Sequence, residues 1–188
     1  TAGRYHFDFT MAFDREVPLL PVFVWFYILA FPFWAVGYLL AARRGKDMFY
    51  RFVATDLTIH FICFICFILI PTTNIRPEIP GNTLSEKILA LVYSLDGGNS
   101  PSNLFPSIHC YVSWMCWKGV EGSEKVPKWY QRFSLVFAIL IIISTQVLKQ
   151  HYIVDAAAAL LLVEFFWRFY QKGQRHKWVV HVFAHKKK

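Results

Sequence analysis

An all-α fold, a polytopic bundle of transmembrane helices, is what this sequence predicts, and three observations carry the prediction. The 188 residues are 56% apolar and 19% aromatic, only 17% are charged, and the mean hydropathy is +0.37. A soluble domain has roughly a quarter of its residues charged. The apolar residues fall in long stretches with the charges gathered between them, which is the pattern of membrane spans. The basic residues, finally, alternate between heavy and light loops along the chain.

Five stretches read as spans: about Leu19 to Ala42, Phe52 to Ile70, Pro106 to Val120, Trp129 to Leu148 and Tyr152 to Tyr170. Crossing the hydrocarbon takes about 20 residues, so the third, with about 15 residues and roughly 22 Å of helix, is short. Its start is expected below the membrane surface, where irregular backbone is tolerated only against protein or a water-filled cavity. Arg43, Arg44, Lys46, Arg51, Lys118, Lys125, Lys128, Arg132 and seven more from Arg168 to Lys188 fall on one side, fifteen in all. Only Arg4, Arg15, Arg76, Lys87 and Lys149 fall on the other. The positive-inside rule puts loops 43–51 and 118–132 and the C-terminus inside, and the N-terminus, loop 71–105 and the turn at Lys149–His151 outside. A sixth span upstream of Thr1 would place the true N-terminus inside. Residues 1–188 read as a single transmembrane domain.

The formal charge of +8 thus has a topological reading. Its basic residues do not interleave with aromatics on one strip, so no nucleic-acid partner is expected. Cys63 and Cys66 form C-x-x-C inside an apolar run, where thiols act as small apolar side chains. In the outer loop, Thr83 and Glu86 are spaced as a capping box. The apolar residues Leu84, Ile88, Leu91, Val92 and Leu95 make one stripe of a short interfacial helix. The run Asp96-Gly97-Gly98-Asn99-Ser100 breaks it, and Pro106 restarts a helix.

Three groups on the predicted outer face carry chemistry. His151 and Asp155 are four apart, so on one helix they share a face. The carboxylate can accept one ring N–H and leave the other nitrogen to attack; the plainer reading is a helix staple. Pro106-Ser107-Ile108-His109 opens a helix whose N-terminus favours phosphate, with a hydroxyl at Ser107 and a proton donor at His109. The plainer reading there is a capped helix with an interfacial histidine. Arg76, before Pro77, offers a fork for phosphate oxygens.

These residues resemble the superfamily of type-2 phosphatidic acid phosphatases and vanadium haloperoxidases, whose pattern is K-x6-R-P, then P-S-x-H, then S-R-x5-H-x3-D. Pro106-Ser107-Ile108-His109 matches the second motif, Ser144…His151…Asp155 the third, and Arg76-Pro77 the end of the first. The resemblance covers a phosphatase-like core of about 50–170. It implies that His151 attacks phosphorus, Asp155 orients it, and His109 protonates the leaving alcohol. It also implies that Arg76, Ser107, Ser144 and backbone N–H groups near Gly97–Gly98 hold the substrate phosphate. Leu69 stands where the pattern has its lysine and Thr145 where it has its second arginine. Lys149, four residues after Thr145, is the expected replacement if the helix continues. The threonine variant is also similar to inositol phosphorylceramide synthases.

The expectation is therefore a membrane lipid phosphatase, with no metal and no other cofactor, hydrolysing a lipid phosphate monoester or diphosphate. Candidate substrates are phosphatidic acid, phosphatidylglycerol phosphate and isoprenyl diphosphate. A zinc site on His109, His151 and Asp155 is the metal alternative. The expected partners are the bilayer and the lipid phosphate, at the plasma membrane, with the site on the extracytoplasmic face. Two other readings stay open: a phosphotransferase moving a phospho-headgroup between lipids, and a non-catalytic lipid-binding or transport protein. Asp56 with His60 reads as an internal staple or a site wall, and Glu164 with Arg168 as a structural ion pair. The basic tail with Trp178 and Phe183 reads as an anionic-lipid anchor.

Overall fold

The computed structural model describes residues 5–98 and 101–184. Arg4, Asn99, Ser100 and the lysines at 186–188, all used in the sequence reading, lie outside the described residues, as does the side chain of Phe183. The chain is mostly helical. An N-terminal arm holds the two-residue strand β1 (Phe7–Asp8) and the short helix α1 (Ala12–Glu16). A 3-10 turn at Pro21–Phe23 leads into α2 (Val24–Ile28), followed by α3 (Ala30–Ala42) and α4 (Lys46–Leu69). Strand β2 (Thr72–Thr73) and α5 (Leu84–Leu95) fill the next loop. Then come α6 (Ile108–Val120), α7 (Lys128–Val147), α8 (Ile153–Gln171) and α9 (Lys177–Ala184).

Among the described residues, three segments are long and apolar enough to cross a membrane: Pro21–Ala42, Lys46–Leu69 and Lys128–Val147. The other two expected spans do not qualify by length and composition. Helix α6 has 13 residues, and α8 carries Asp155, Glu164 and Arg168 within its 19. The first span is one stretch in sequence but two helices in space, broken at Leu29. Pro32 explains the break, because it has no N–H to offer the Ile28 carbonyl and its ring crowds that carbonyl.

Helix α6 sits at the centre, packed along α3, α7 and α8. Its buried residues Cys110, Tyr111, Met115 and Cys116 join Phe33, Phe52, Ile59 and Ile141 in the main core. The approach of α3 is close: a Cβ at Gly37 would lie 2.6 Å from Cys116 Sγ and 2.7 Å from its Cβ. Gly37→Ala should therefore destabilise the bundle by about 1–3 kcal/mol, the usual cost of overpacking, and lower the thermal midpoint in detergent. An unchanged midpoint would contradict this packing.

Polar pairs inside the bundle tie helices together. Tyr38 Oη donates to Asp56 Oδ1 at 2.7 Å, and the Tyr111 hydroxyl bonds to the His60 ring. Glu164 accepts from Trp114 Nε1 at 2.9 Å and meets Lys118 Nζ at 3.1 Å and Arg168 at 3.4 Å. At one end, Arg44 reaches the carbonyls of Lys118 and Gly119, and Arg51 those of Tyr170 and Gln171. At the opposite end, the arm, loop 71–105 and the α7–α8 turn meet. There β1 runs parallel to β2, Phe7 beside Thr72, and Asn74 Nδ2 donates to the Lys149 carbonyl at 3.0 Å.

Helix α5 has the expected capping box, with Glu86 N–H on Thr83 Oγ1 at 3.2 Å and Thr83 N–H on Glu86 Oε2 at 3.0 Å. Its apolar residues divide, however. Leu89 and Tyr93 are buried against α2, whereas Leu84, Leu91 and Leu95, placed in the single expected stripe, are exposed.

Candidate active site

The α7–α8 turn and the start of α6 build the site. Helix α7 stops at Val147, Lys149 takes a positive φ of 53°, and the N–H groups of Gln150 and His151 both return to the Thr145 carbonyl, at 2.9 and 3.0 Å. This tight turn leaves His151 outside both helices, 8% exposed. Asp155 lies in the first turn of α8, where its Oδ2 accepts the Tyr152 N–H at 2.9 Å and lies 3.5 Å from His151 Nδ1. The two residues are thus brought together by a helix-start cap, not by sharing one helix. At 3.5 Å the contact is an ion-pair distance and longer than a good hydrogen bond.

His109 comes to the same place from α6. Ser107 caps that helix, accepting the Cys110 N–H at 3.3 Å, and its own N–H donates to the Asp155 carbonyl at 3.3 Å, which joins the two motifs directly. The His109 ring stacks on Tyr27 at 4.3 Å, tilts against Trp34 at 5.1 Å and lies 6.1 Å from the His151 ring between centroids. A cavity of about 260 Å³ opens between them, lined by both histidines, Tyr27, Phe31, Trp34 and Asp96 among others. His109 Nε2, His151 Nδ1, Arg76 Nε and Gln150 Nε2 are buried polar atoms with no protein partner. Such atoms are rare in a fold, and here four belong to the two histidines, Arg76 and Gln150.

The PAP2 superfamily is matched over residues 4–168. The chain belongs to the PAP2 superfamily. That is the superfamily of type-2 phosphatidic acid phosphatases that the three motifs resemble, and phosphatase-type activity is what membership indicates. The matched stretch starts well before residue 50 and takes in the N-terminal arm. Neither a curated protein nor a solved structure matches the chain.

Other PAP2-motif residues stand apart from the cavity lining. Arg76 is buried and fully engaged through its terminal nitrogens. Nη1 donates to the Asp96 carbonyl at 2.8 Å and the Gly98 carbonyl at 3.1 Å, and Nη2 to Asp96 Oδ2 at 2.6 Å and to Gln150 Oε1. Ser144 is buried and donates back to the Ile141 carbonyl at 2.6 Å. Thr145, in the place of the arginine, is buried with its hydroxyl on the Ile142 carbonyl at 2.7 Å and against Cys110 Sγ at 3.5 Å. Leu69, in the place of the lysine, is exposed at the end of α4. The Gly98 N–H is taken by the Tyr93 carbonyl at 2.8 Å, so it is not turned to a ligand.

Lys149 differs most from expectation. The helix does not continue through it, so it does not share a face with Thr145. Its Nζ donates to the carbonyls of Asp14, at 2.7 Å, and Val17 in the arm. Burial pushes its ammonium below the usual lysine range, and the Asp14 carboxylate opposes that shift. Asp14 Oδ1 accepts the Ile153 N–H at 3.0 Å, so the arm also caps α8. Sequence reasoning passed over Asp96, Gln150, Tyr27 and Trp34 as site residues. For Asp96 a signal existed, an acidic residue at the start of the loop leading to Pro106. For Tyr27 and Trp34 there was none, since both sit in an evenly apolar span.

Proposed function

We propose that the chain is a membrane-embedded lipid phosphate phosphohydrolase working through a phosphohistidine at His151, with its site on the extracytoplasmic face. The observation that carries this is the pair of histidines across one cavity, their rings 6.1 Å apart, with Asp155 behind His151. With Nδ1 toward Asp155, Nε2 of His151 is the nitrogen free to attack. The Nε2–P bond forms as the bond from phosphorus to the lipid oxygen breaks, and His109 gives that oxygen its proton. Water then attacks phosphorus, returns a proton to His109, and phosphate leaves His151. The separation suits one phosphoryl group, since reacting atoms approach to about 3–3.5 Å on each side. An apolar groove of about 450 Å³, lined by Ile62, Ala158, Leu162 and Phe165, reaches Phe105 and Pro106 and offers acyl chains a path from the bilayer.

The deciding experiment is phosphate release from a panel of lipid phosphates by the purified protein. Phosphatidic acid, phosphatidylglycerol phosphate and an isoprenyl diphosphate should include at least one substrate, and release from none would sink the reading. Vanadate or tungstate should inhibit competitively by standing in for the phosphoryl group beside His151, while EDTA leaves the rate unchanged. A loss in EDTA that zinc restores would favour a metal site instead.

One observation favours the second reading, a transferase that passes a phospho-headgroup to another lipid alcohol. Of the three cations of the family pattern only Arg76 is present, and it is already paired with Asp96. A dianionic monoester is the substrate that most needs the missing charges. Product analysis with and without diacylglycerol or ceramide as acceptor separates the two readings.

A further inference from the structure

Among the described residues lining the His109–His151 cavity, with both histidines neutral, Asp96 carries the only formal charge, and that charge is negative. Arg76, the cation behind it, has a side chain with no exposure, whereas the Asp96 side chain is about half exposed at 52%. One carboxylate oxygen, Oδ2, is fixed on Arg76 Nη2. The carboxylate is anchored in place at the end of α5 and still open on its outer side. The remaining walls include Tyr27, Phe31 and Trp34. Aromatic side chains beside a carboxylate are the surroundings that recognise an organic cation, through ring quadrupoles and a counter-charge. At about 260 Å³ the cavity lies below the roughly 300–1,000 Å³ of pockets that enclose whole drug-sized ligands, so it takes a headgroup and leaves acyl chains outside.

We infer that Asp96 is a specificity-determining residue that selects a phosphate ester bearing an ammonium headgroup, held against Asp96 and the aromatic walls. The inference rests on the phosphohistidine reading only for where the phosphorus sits. A zwitterionic diester suits the charge balance better than a dianion, because its phosphate carries one negative charge and its ammonium meets the carboxylate. With such a diester the His151 Nε2–P bond forms and the bond from phosphorus to the diacylglycerol oxygen breaks. His109 protonates that oxygen. Water then attacks phosphorus, its proton passes to His109, and the phospho-ammonium alcohol leaves His151.

Binding and turnover are read separately. Phosphocholine and glycerol phosphate, both phosphate monoesters differing in the cation, are titrated onto the purified protein. Phosphocholine should bind at least tenfold more tightly, and Asp96→Asn should remove most of that ratio. Equal affinities in the wild-type protein would overturn the inference whether or not the variant folds. Phosphatidylcholine and phosphatidylethanolamine should likewise be consumed at least tenfold faster than phosphatidylglycerol. Turnover of phosphatidic acid or phosphatidylglycerol without any ammonium preference would overturn this inference and leave the phosphohydrolase reading standing. Selective phosphocholine binding with no turnover of any lipid would do the reverse.

Discussion

Alanine at position 151 is expected to abolish turnover while leaving the fold intact. Removing the nucleophile of a serine protease costs on the order of 10⁶ in rate, and a loss of that scale takes this enzyme below detection. The fold should survive because the turn is held by backbone groups, the N–H of residues 150 and 151 on the Thr145 carbonyl, and alanine keeps both. The His151 side chain makes no hydrogen bond within the protein at Nδ1. The measurements are lipid phosphate release and the thermal midpoint, side by side. A His151→Ala protein with wild-type activity would remove the phosphohistidine from consideration.

Asp155→Asn is expected to separate catalysis from stability. The carboxylate has two tasks here, capping the Tyr152 N–H at 2.9 Å and facing His151 Nδ1 at 3.5 Å. Asparagine keeps an oxygen for the cap but loses the negative charge that faces the imidazole at 3.5 Å. In a serine protease the corresponding change lowers kcat by about 10⁴, and a loss of about 10²–10⁴ is expected here with the midpoint nearly unchanged. Asp155→Ala should add a stability loss of about 0.5–2 kcal/mol from the missing cap. If Asp155→Asn were as active as wild type, the pair would be a helix staple and nothing more.

What sequence reveals of this protein depends on the range of the contact involved. The spacing of His109, His151 and Asp155 stood out in the sequence, and the structure puts both histidines on one cavity with Asp155 beside His151. How they meet was not. A four-residue spacing implied one helix, yet α7 stops at Val147, Lys149 turns left-handed, and Asp155 faces His151 from the cap of α8. The break of the first span at Leu29 was written in Pro32, but a run so uniformly apolar hides it. Hydropathy says which helices are buried and not which face each other. That is why Trp34, 79 residues from the Ser113 hydroxyl its ring N–H reaches at 2.9 Å, gave no sign of its place beside His109. Arg76 was found as a cation, but its pairing with Asp96 at 2.6 Å came only with the folded loop.

The contacts of the N-terminal arm fix the order in which this protein can be completed. Lys149 bonds to Asp14 across 135 residues, and Ile153 across 139. Such pairs close late, because a long stretch of chain must be ordered before they are made. During synthesis the arm emerges before α2 to α7 and waits through those six helices until the turn that carries His151 appears. A chain halted at residue 148 holds α2 to α7 whole but leaves the arm without its anchor. The face that carries His109 and His151 is thus closed only after α7 is complete, by segments that lie 135 and 139 residues apart in the chain.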